Sequence, residues 1–208
     1  RPREVGHDRG HTGGRPLGIH EYPDGNLLVC DHDRGLLRLD VATGEVDVLV
    51  GEIDGKRLHF CSNAVICADG TIYFSSSSET ATWDDVRADL INHATSGRLT
   101  SVRPDGKVTV LRRDLAFANG AALAPDESYL LVAETIRYRI LKLWLKGPRA
   151  GEWVEFVSGM PGFPDNISLS HAGLVWVSLP APRVPVLDFL LPRHPILRQL
   201  ALRVPQRL

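Results

Sequence analysis

The stretch Phe117-Ala118-Asn119-Gly120-Ala121-Ala122-Leu123-Ala124-Pro125-Asp126-Glu127-Ser128-Tyr129-Leu130-Leu131-Val132-Ala133-Glu134 decides the fold. Its middle, Pro125-Asp126-Glu127-Ser128, is a turn between the apolar runs Ala121–Ala124 and Tyr129–Ala133. Proline presets φ, and Asp and Ser side chains bond their own backbone, so such a segment between two apolar runs predicts a β-hairpin. Asn119-Gly120 puts a polar amide at the mouth of a buried strand. The layout recurs. Gly18-Ile19-His20-Glu21-Tyr22 leads into Pro23-Asp24-Gly25 and the strand Asn26–Cys30; Ser62-Asn63-Ala64-Val65-Ile66 leads into Ala68-Asp69-Gly70 and Thr71–Ser75; Asp165-Asn166-Ile167-Ser168-Leu169 leads into Ser170-His171-Ala172-Gly173 and Leu174–Leu179.

Each recurrence opens a larger unit. In the first, Ile19–Tyr22, Asn26–Asp31, Leu36–Asp40 and Glu45–Val50 are four short runs separated by turn residues. Four consecutive antiparallel strands form a meander sheet, the blade of a β-propeller. The second unit is interrupted by Glu79–Ile91, partly helical by the spacing of Trp83, Val86 and Leu90, and resumes at Gly97–Val102 and Val108–Leu111. The third runs from Asn119 to Val157, with Tyr138–Leu145 as its third strand, and the fourth shows two strands from Asp165. The turn anchors Gly25, Gly70, Glu127 and Gly173 recur at the period of propeller blades, about 40–50 residues, the longest interval holding the insert. The sequence therefore predicts an all-β propeller. Its blades cover about 15–51, 60–112, 117–158 and 163–179, after a flexible segment over 1–14. Three and a half blades do not close a ring, so more chain is expected. From Pro180 to Leu208, Pro, Leu and Arg alternate, and a helical cap is expected there. Val186–Leu191 and Ile196–Leu202 are its short amphipathic helices, with weak membrane-surface association through 186–203 as the alternative.

Composition excludes several classes. The net charge of -1 over 208 residues gives no electrostatic footprint for nucleic acid. The apolar runs are too short for a transmembrane helix. Arg1-Pro2-Arg3-Glu4 lacks the apolar segment of a signal peptide, which favours a cytoplasmic location, although the start without methionine suggests an upstream part. Cys30, Cys61 and Cys67 are odd in number and lack a CxxC, so buried thiols are expected, not disulfides or a thiolate zinc site. Glycines around His7 and His11 argue against a helical metal pair. The hydroxyl run Ser75–Ser78 has no Gly-x-Ser-x-Gly elbow around it.

The first strand of each blade lines the channel of a propeller, so residues at its entrance converge on the axis. Ser62, Asn119 and Asp165 each stand eight residues before their turn anchor. With Asn63 and Asn166 beside them, they supply one carboxylate and several amide or hydroxyl oxygens, the donor set that hard cations such as Ca²⁺ prefer. The alternative is that these side chains only cap turns and strand ends. Asn166-Ile167-Ser168 fits a glycosylation sequon, read as incidental if Asn166 faces the channel.

The segments Phe117–Gly120, Ser128–Ile140 and Gly162-Phe163-Pro164-Asp165-Asn166-Ile167 resemble the strictosidine synthase-like family. That family shares a six-bladed propeller superfamily with gluconolactonases and paraoxonases. The resemblance implies a six-bladed ring, Ca²⁺ held by Asn119, Asp165 and Asn166, and hydrolysis of a small-molecule ester or lactone. The second-blade pair, Asn-Asp in calcium-dependent relatives, is Ser62-Asn63 here, and the opening blade's glutamate has no counterpart. His32 resembles one histidine of the paraoxonase dyad; the other position is Leu17, so the dyad is incomplete. Glu134 reads as structural. A Pictet–Spengler synthase, needing a late-blade glutamate, and a non-enzymatic binding propeller are the alternatives.

Overall fold

The computed structural model describes residues 10–183 together with positions 188, 198 and 202. The first blade is β1 (Pro16–Glu21), β2 (Leu27–Asp31), β3 (Gly35–Leu39) and β4 (Val46–Val50), paired in that order. A short hairpin, β5 (Glu52–Ile53) and β6 (Lys56–Arg57), leads to the second blade. That blade comprises β7 (Cys61–Ile66), β8 (Ile72–Ser76), β9 (Gly97–Val102) and β10 (Val108–Leu115). Between β8 and β9 the insert forms a 3₁₀ turn at Trp83–Asp85 and the helix α1 (Val86–Asn92). The third blade is β11 (Ala118–Leu123), β12 (Tyr129–Glu134), β13 (Arg139–Trp144) and β14 (Trp153–Val157). The fourth sheet is the pair β15 (Ile167–Leu169) and β16 (Val175–Val177). Every pairing among these strands is antiparallel.

The four turn anchors share a backbone conformation. Gly25, Gly70 and Gly173 have φ of 83°, 82° and 79°, and Glu127 has φ 55°. Glycine enters this left-handed region without cost; a side chain does not. Glu127 is held there by its carboxylate, which accepts the Ala68 N–H at 2.6 Å and pairs with Lys146 at 3.0 Å. The anchor of the third blade thus also ties it to the second.

The inner strands β1, β7, β11 and β15 stand side by side in sequence order. The core lies in the layers between their sheets. Leu28, Leu36, Cys61 and Phe74 fill the first layer, Val65, Leu99, Leu130 and Leu141 the second, and Leu131, Ile140 and Ile167 the third. Neither sheet face could be buried by one blade alone, so each blade needs its neighbour. Two serines of the expected hydroxyl run fasten these layers. Ser77 Oγ donates to the Ala118 carbonyl at 2.8 Å, and Ser75 Oγ donates to the Asn119 carbonyl. Cys30, Cys61 and Cys67 are free and buried, and burial pushes the Cys67 thiol up to about 12. Glu134 is buried and structural: it accepts the Ala116 N–H at 2.8 Å and pairs with Arg137 at 3.0 Å and with Arg139.

Strand ends differ from the sequence reading by a few residues, β1 starting at Pro16 rather than Ile19 and β16 covering Val175–Val177 rather than 174–179. β10 continues past Leu111 to Leu115 through two register shifts. β13 starts at Arg139 because Tyr138 takes a left-handed conformation, φ 52°. Of the expected segment 1–14, residues 10–14 are described, and Gly10 packs on Leu39 of the first blade; His7 lies outside the described residues. So do the expected helices over 186–191 and 196–202 and the proposed surface segment, apart from positions 188, 198 and 202. Among the described residues no helix is long and apolar enough to cross a membrane.

Candidate functional site

Counting eight residues back from the four anchors gives Leu17, Ser62, Asn119 and Asp165. All four line one cavity of about 440 Å³, and Asn166 lines it too. The topology explains the convergence. Leu17, Ser62 and Asn119 are the second residues of β1, β7 and β11, Asp165 stands two residues before β15, and these inner strands are neighbours.

The next position in each blade alternates in type: Gly18, Asn63, Gly120, Asn166. The glycines let strands approach. A Cβ on Gly120 would stand 2.5 Å from the Asp165 carbonyl and from the Ile167 nitrogen, and one on Gly18 would stand 2.5 Å from the Ser62 carbonyl. Asn63 and Asn166 come from the strands on either side of β11. The Asn63 Nδ2 donates to the Asn166 Oδ1 at 3.2 Å, and the Asn63 Oδ1 accepts the Ala121 N–H at 3.4 Å. Asn63 itself lines an adjoining groove of about 260 Å³ with Ile19, His20 and Ile167. Asn166 is exposed, so the sequon asparagine is not hidden as the channel reading expected.

Asp165 is pinned through its backbone: its N–H donates to the Ser178 carbonyl and its carbonyl accepts the Gly120 N–H, both at 3.0 Å. Burial pushes its carboxyl above the ordinary value, partly offset by a hydrogen bond from the Asn119 side chain. Ser62 is buried with its Oγ 2.7 Å from that of Ser77. The lining thus offers oxygen-bearing polar groups: one carboxyl, two amides and the hydroxyls of Ser62 and Thr135, with Asn63 adjoining. This donor chemistry fits a hard dication better than a soft metal. Among the described residues, no group of three or more His, Cys, Asp or Glu is placed to hold a metal ion.

His32 stands elsewhere. It is 2% exposed, with Nδ1 2.7 Å from an Asp33 oxygen and Nε2 without a hydrogen-bond partner. Its ring meets Phe60 edge-on at 4.5 Å, and Phe60, not His32, lines the cavity. Among the described residues Asp165 is the one ionisable group on that lining.

The sequence reading missed the cavity's walls. Ten residues before the anchors stand Arg15, Phe60, Phe117 and Phe163, and the three phenylalanines all line the cavity. Phe60 and Phe117 lie 5.4 Å apart and have φ of 53° and 62°. A left-handed bulky residue costs about 1–3 kcal/mol and persists only where its surroundings enforce it. The aromatic collar is therefore a built feature. Its signal was a register count visible once the anchors were aligned. Thr135, another missed lining residue, donates through Oγ1 to the Pro164 carbonyl at 2.7 Å. The insert brings Trp83, Val86 and Leu90 to the same cavity.

Residues 62–148 match the strictosidine synthase family model. The protein strictosidine synthase-like 13 of Arabidopsis thaliana is 35% identical over 201 residues, covering 92% of this chain and 48% of that relative. The chain spans about half the length of the curated relatives it matches. A gluconolactonase of Xanthomonas campestris superposes with a TM-score of 0.64 at 24% identity, over 79% of this chain and 56% of that one. The calcium-binding protein regucalcin of Agrobacterium tumefaciens superposes with a TM-score of 0.58 at 20% identity, over 79% and 53%. These likenesses show the fold, a β-propeller of which three blades and half of a fourth are present.

Proposed function

We propose, from the premise that this chain belongs to the strictosidine synthase-like family, that it is a calcium-dependent hydrolase of small esters or lactones acting from the channel. The observation that carries the reading is Asp165: a half-buried carboxyl hydrogen-bonded to Asn119 and next to Asn166, on the lining of an aromatic-walled cavity. The calcium-binding regucalcin and the gluconolactonase among the structural neighbours support it. Asn119, Asp165 and Asn166 would hold the ion, with Ser62 at the corner and Asn63 reaching Asn166 from the groove. Bound Ca²⁺ would supply a Lewis acid for the substrate carbonyl and its oxyanion. The chain's own part is to orient and exclude water. The phenylalanine collar holds the apolar part of a substrate, and the amides fix its polar end. Asp165, ionised, would supply the negative charge that holds the ion, with the Asn119 side chain hydrogen-bonded to it.

The position of His32 favours a second reading, a binding propeller without turnover, because Phe60 stands between this histidine and the cavity. One experiment separates the two. Thermal unfolding is followed with Ca²⁺ and with chelator, beside hydrolysis of phenyl acetate and simple lactones. At a hundredfold excess over Kd, Ca²⁺ should stabilise the protein by about 2.7 kcal/mol. The shift and the hydrolysis should both disappear in Asp165→Ala. Turnover that survives chelation sinks the metal-dependent reading; a shift without any turnover selects the binding propeller.

A further inference from the structure

Arg15 is the exception in the collar. It holds the position that Phe60, Phe117 and Phe163 hold in the later blades. Its guanidinium carbon lies 4.3 Å from the ring centroid of Trp83, which comes from the insert of the second blade. The Phe60 ring stacks on Trp83 at 6.0 Å with an interplanar angle of 21°, and His32 meets it edge-on at 6.1 Å. An aromatic supplied by the neighbouring blade thus completes the collar where the first blade has a cation.

Arg15 is itself fixed. Its N–H donates to Asp31 Oδ1 at 3.1 Å, and its carbonyl accepts the His32 N–H at 2.8 Å. The same Asp31 oxygen accepts the N–H groups of Asp33 at 2.8 Å and Arg34 at 3.0 Å. Gly14 is needed for this approach, since a Cβ there would stand 2.2 Å from Asp31 Oδ1. On the insert side, Ser78 Oγ accepts the Ala81 N–H at 2.9 Å and the Thr80 N–H at 3.1 Å, and Glu79 pairs with the buried Arg98 at 3.0 Å. The backbone that carries Arg15 is therefore tied to the first blade and the start of the insert that carries Trp83 to the second, while Trp83 keeps 42% exposure. A wall that is part cavity and part surface is where a substrate enters or overhangs.

We propose that Trp83, clamped by Arg15, is the specificity-determining residue of this cavity and restricts it to neutral apolar groups of limited length. The proposal rests on the hydrolase reading for its substrates but not for its geometry. Length is limited because the indole and the α1 residues Val86 and Leu90 line that side of the cavity, and a chain that passes the indole leaves the apolar lining for the surface. Neutrality follows from the lining: among the described residues no basic side chain lines it to pair with an anion, and Asp165, engaged with Ca²⁺, leaves no free carboxylate to pair with a cation.

The test uses p-nitrophenyl esters from acetate to decanoate with Ca²⁺ present, on wild type, Trp83→Ala, Arg15→Gln and Arg15→Lys. The kcat/KM ratio of decanoate to acetate should rise by about tenfold or more in Trp83→Ala. Arg15→Gln should move it the same way, and Arg15→Lys, which keeps the cation, should restore it. A wild-type ratio in Trp83→Ala, with the Ca²⁺-induced thermal shift retained, overturns the proposal. A readout without turnover separates its failure from that of the hydrolase reading. Neutral phenylnaphthylamine should bind wild type more tightly than anionic anilinonaphthalene sulfonate, and should lose about tenfold in affinity in Trp83→Ala. If wild type hydrolyses no ester, the hydrolase reading alone fails and the dye titration decides. An unchanged affinity in Trp83→Ala, or equal binding of the anionic dye, overturns the assignment.

Discussion

Asp165 is half-buried, and its surroundings disfavour the ionised carboxyl. Burial raises its carboxyl above the ordinary 3.8, and the hydrogen bond from Asn119 offsets part of the rise. A carboxyl whose folded value exceeds its unfolded value binds protons more tightly when folded. Stability without ligand is therefore higher below the unfolded value, and it falls as pH rises through the window up to the raised one. At neutral pH the ionised group is a burden on the apo protein. Asp165→Asn should accordingly leave the chelated protein at least as stable as wild type at pH 7. The gap should close as pH falls towards 4, while the Ca²⁺ response is lost. Thermal midpoints in chelator at several pH values check this. An apo Asp165→Asn protein less stable than wild type at neutral pH would show instead that Asp165 serves the fold. The linkage also gives calcium affinity a pH dependence: binding favours the ionised carboxyl, so it should weaken as pH falls through the raised value.

The blade layout is the element-scale fact that brings these groups together, and Gly120 is where it can be broken. Its missing side chain lets β11 run against the entrance of β15, where a Cβ would meet three backbone atoms within 2.8 Å. Backbone does not yield as a flexible side chain does, so the two inner strands would have to part. Gly120→Ala should destabilise by about 1–3 kcal/mol, read by denaturant unfolding. It should also weaken the Ca²⁺ shift, because separating the strands separates Asn119 from Asp165. An unaltered midpoint and Ca²⁺ shift would mean that the strands are not held as tightly as described. Blades and turns were legible in the sequence because strand period and turn chemistry are local. The turns Pro23-Asp24-Gly25 and Ala68-Asp69-Gly70 demand a left-handed residue, and Gly25 and Gly70 supply it. The eight-residue register of Ser62, Asn119 and Asp165 followed from those anchors. The collar was not legible in the same way. Phe60, Phe117 and Phe163 lie in irregular chain before the inner strands, where neither helical nor strand period applies. The role of His32 was also hidden, because whether an aromatic ring stands between it and the cavity depends on packing between blades. The serine run read as a strand end, while its hydroxyls in fact bridge to the backbone of the next blade.

For the whole molecule, the sheets cover one another in sequence, and among the described residues the most exposed large apolar side chains lie at the two ends of that series. Ile19 on β1 is 62% exposed, and Leu174 and Trp176 on either side of Val175 in the β16 region are 60% and 65% exposed. Among the described residues β16 pairs with β15 alone, as the edge of its sheet. An edge strand that combines free hydrogen-bonding groups with exposed large apolar side chains is a template for another chain. The chain as given should therefore self-associate, with an average mass by light scattering that rises with concentration. Trp176→Lys should lower that mass by placing a charge on the edge, and Ile19→Lys should add to the effect if both ends take part. Neither position belongs to the buried layers, so thermal stability should change by no more than about 0.5 kcal/mol. The Ca²⁺ shift should survive both substitutions, which separates edge association from the channel site. A mass independent of concentration, or one that Trp176→Lys leaves unchanged, would show that these edges do not drive contact between copies.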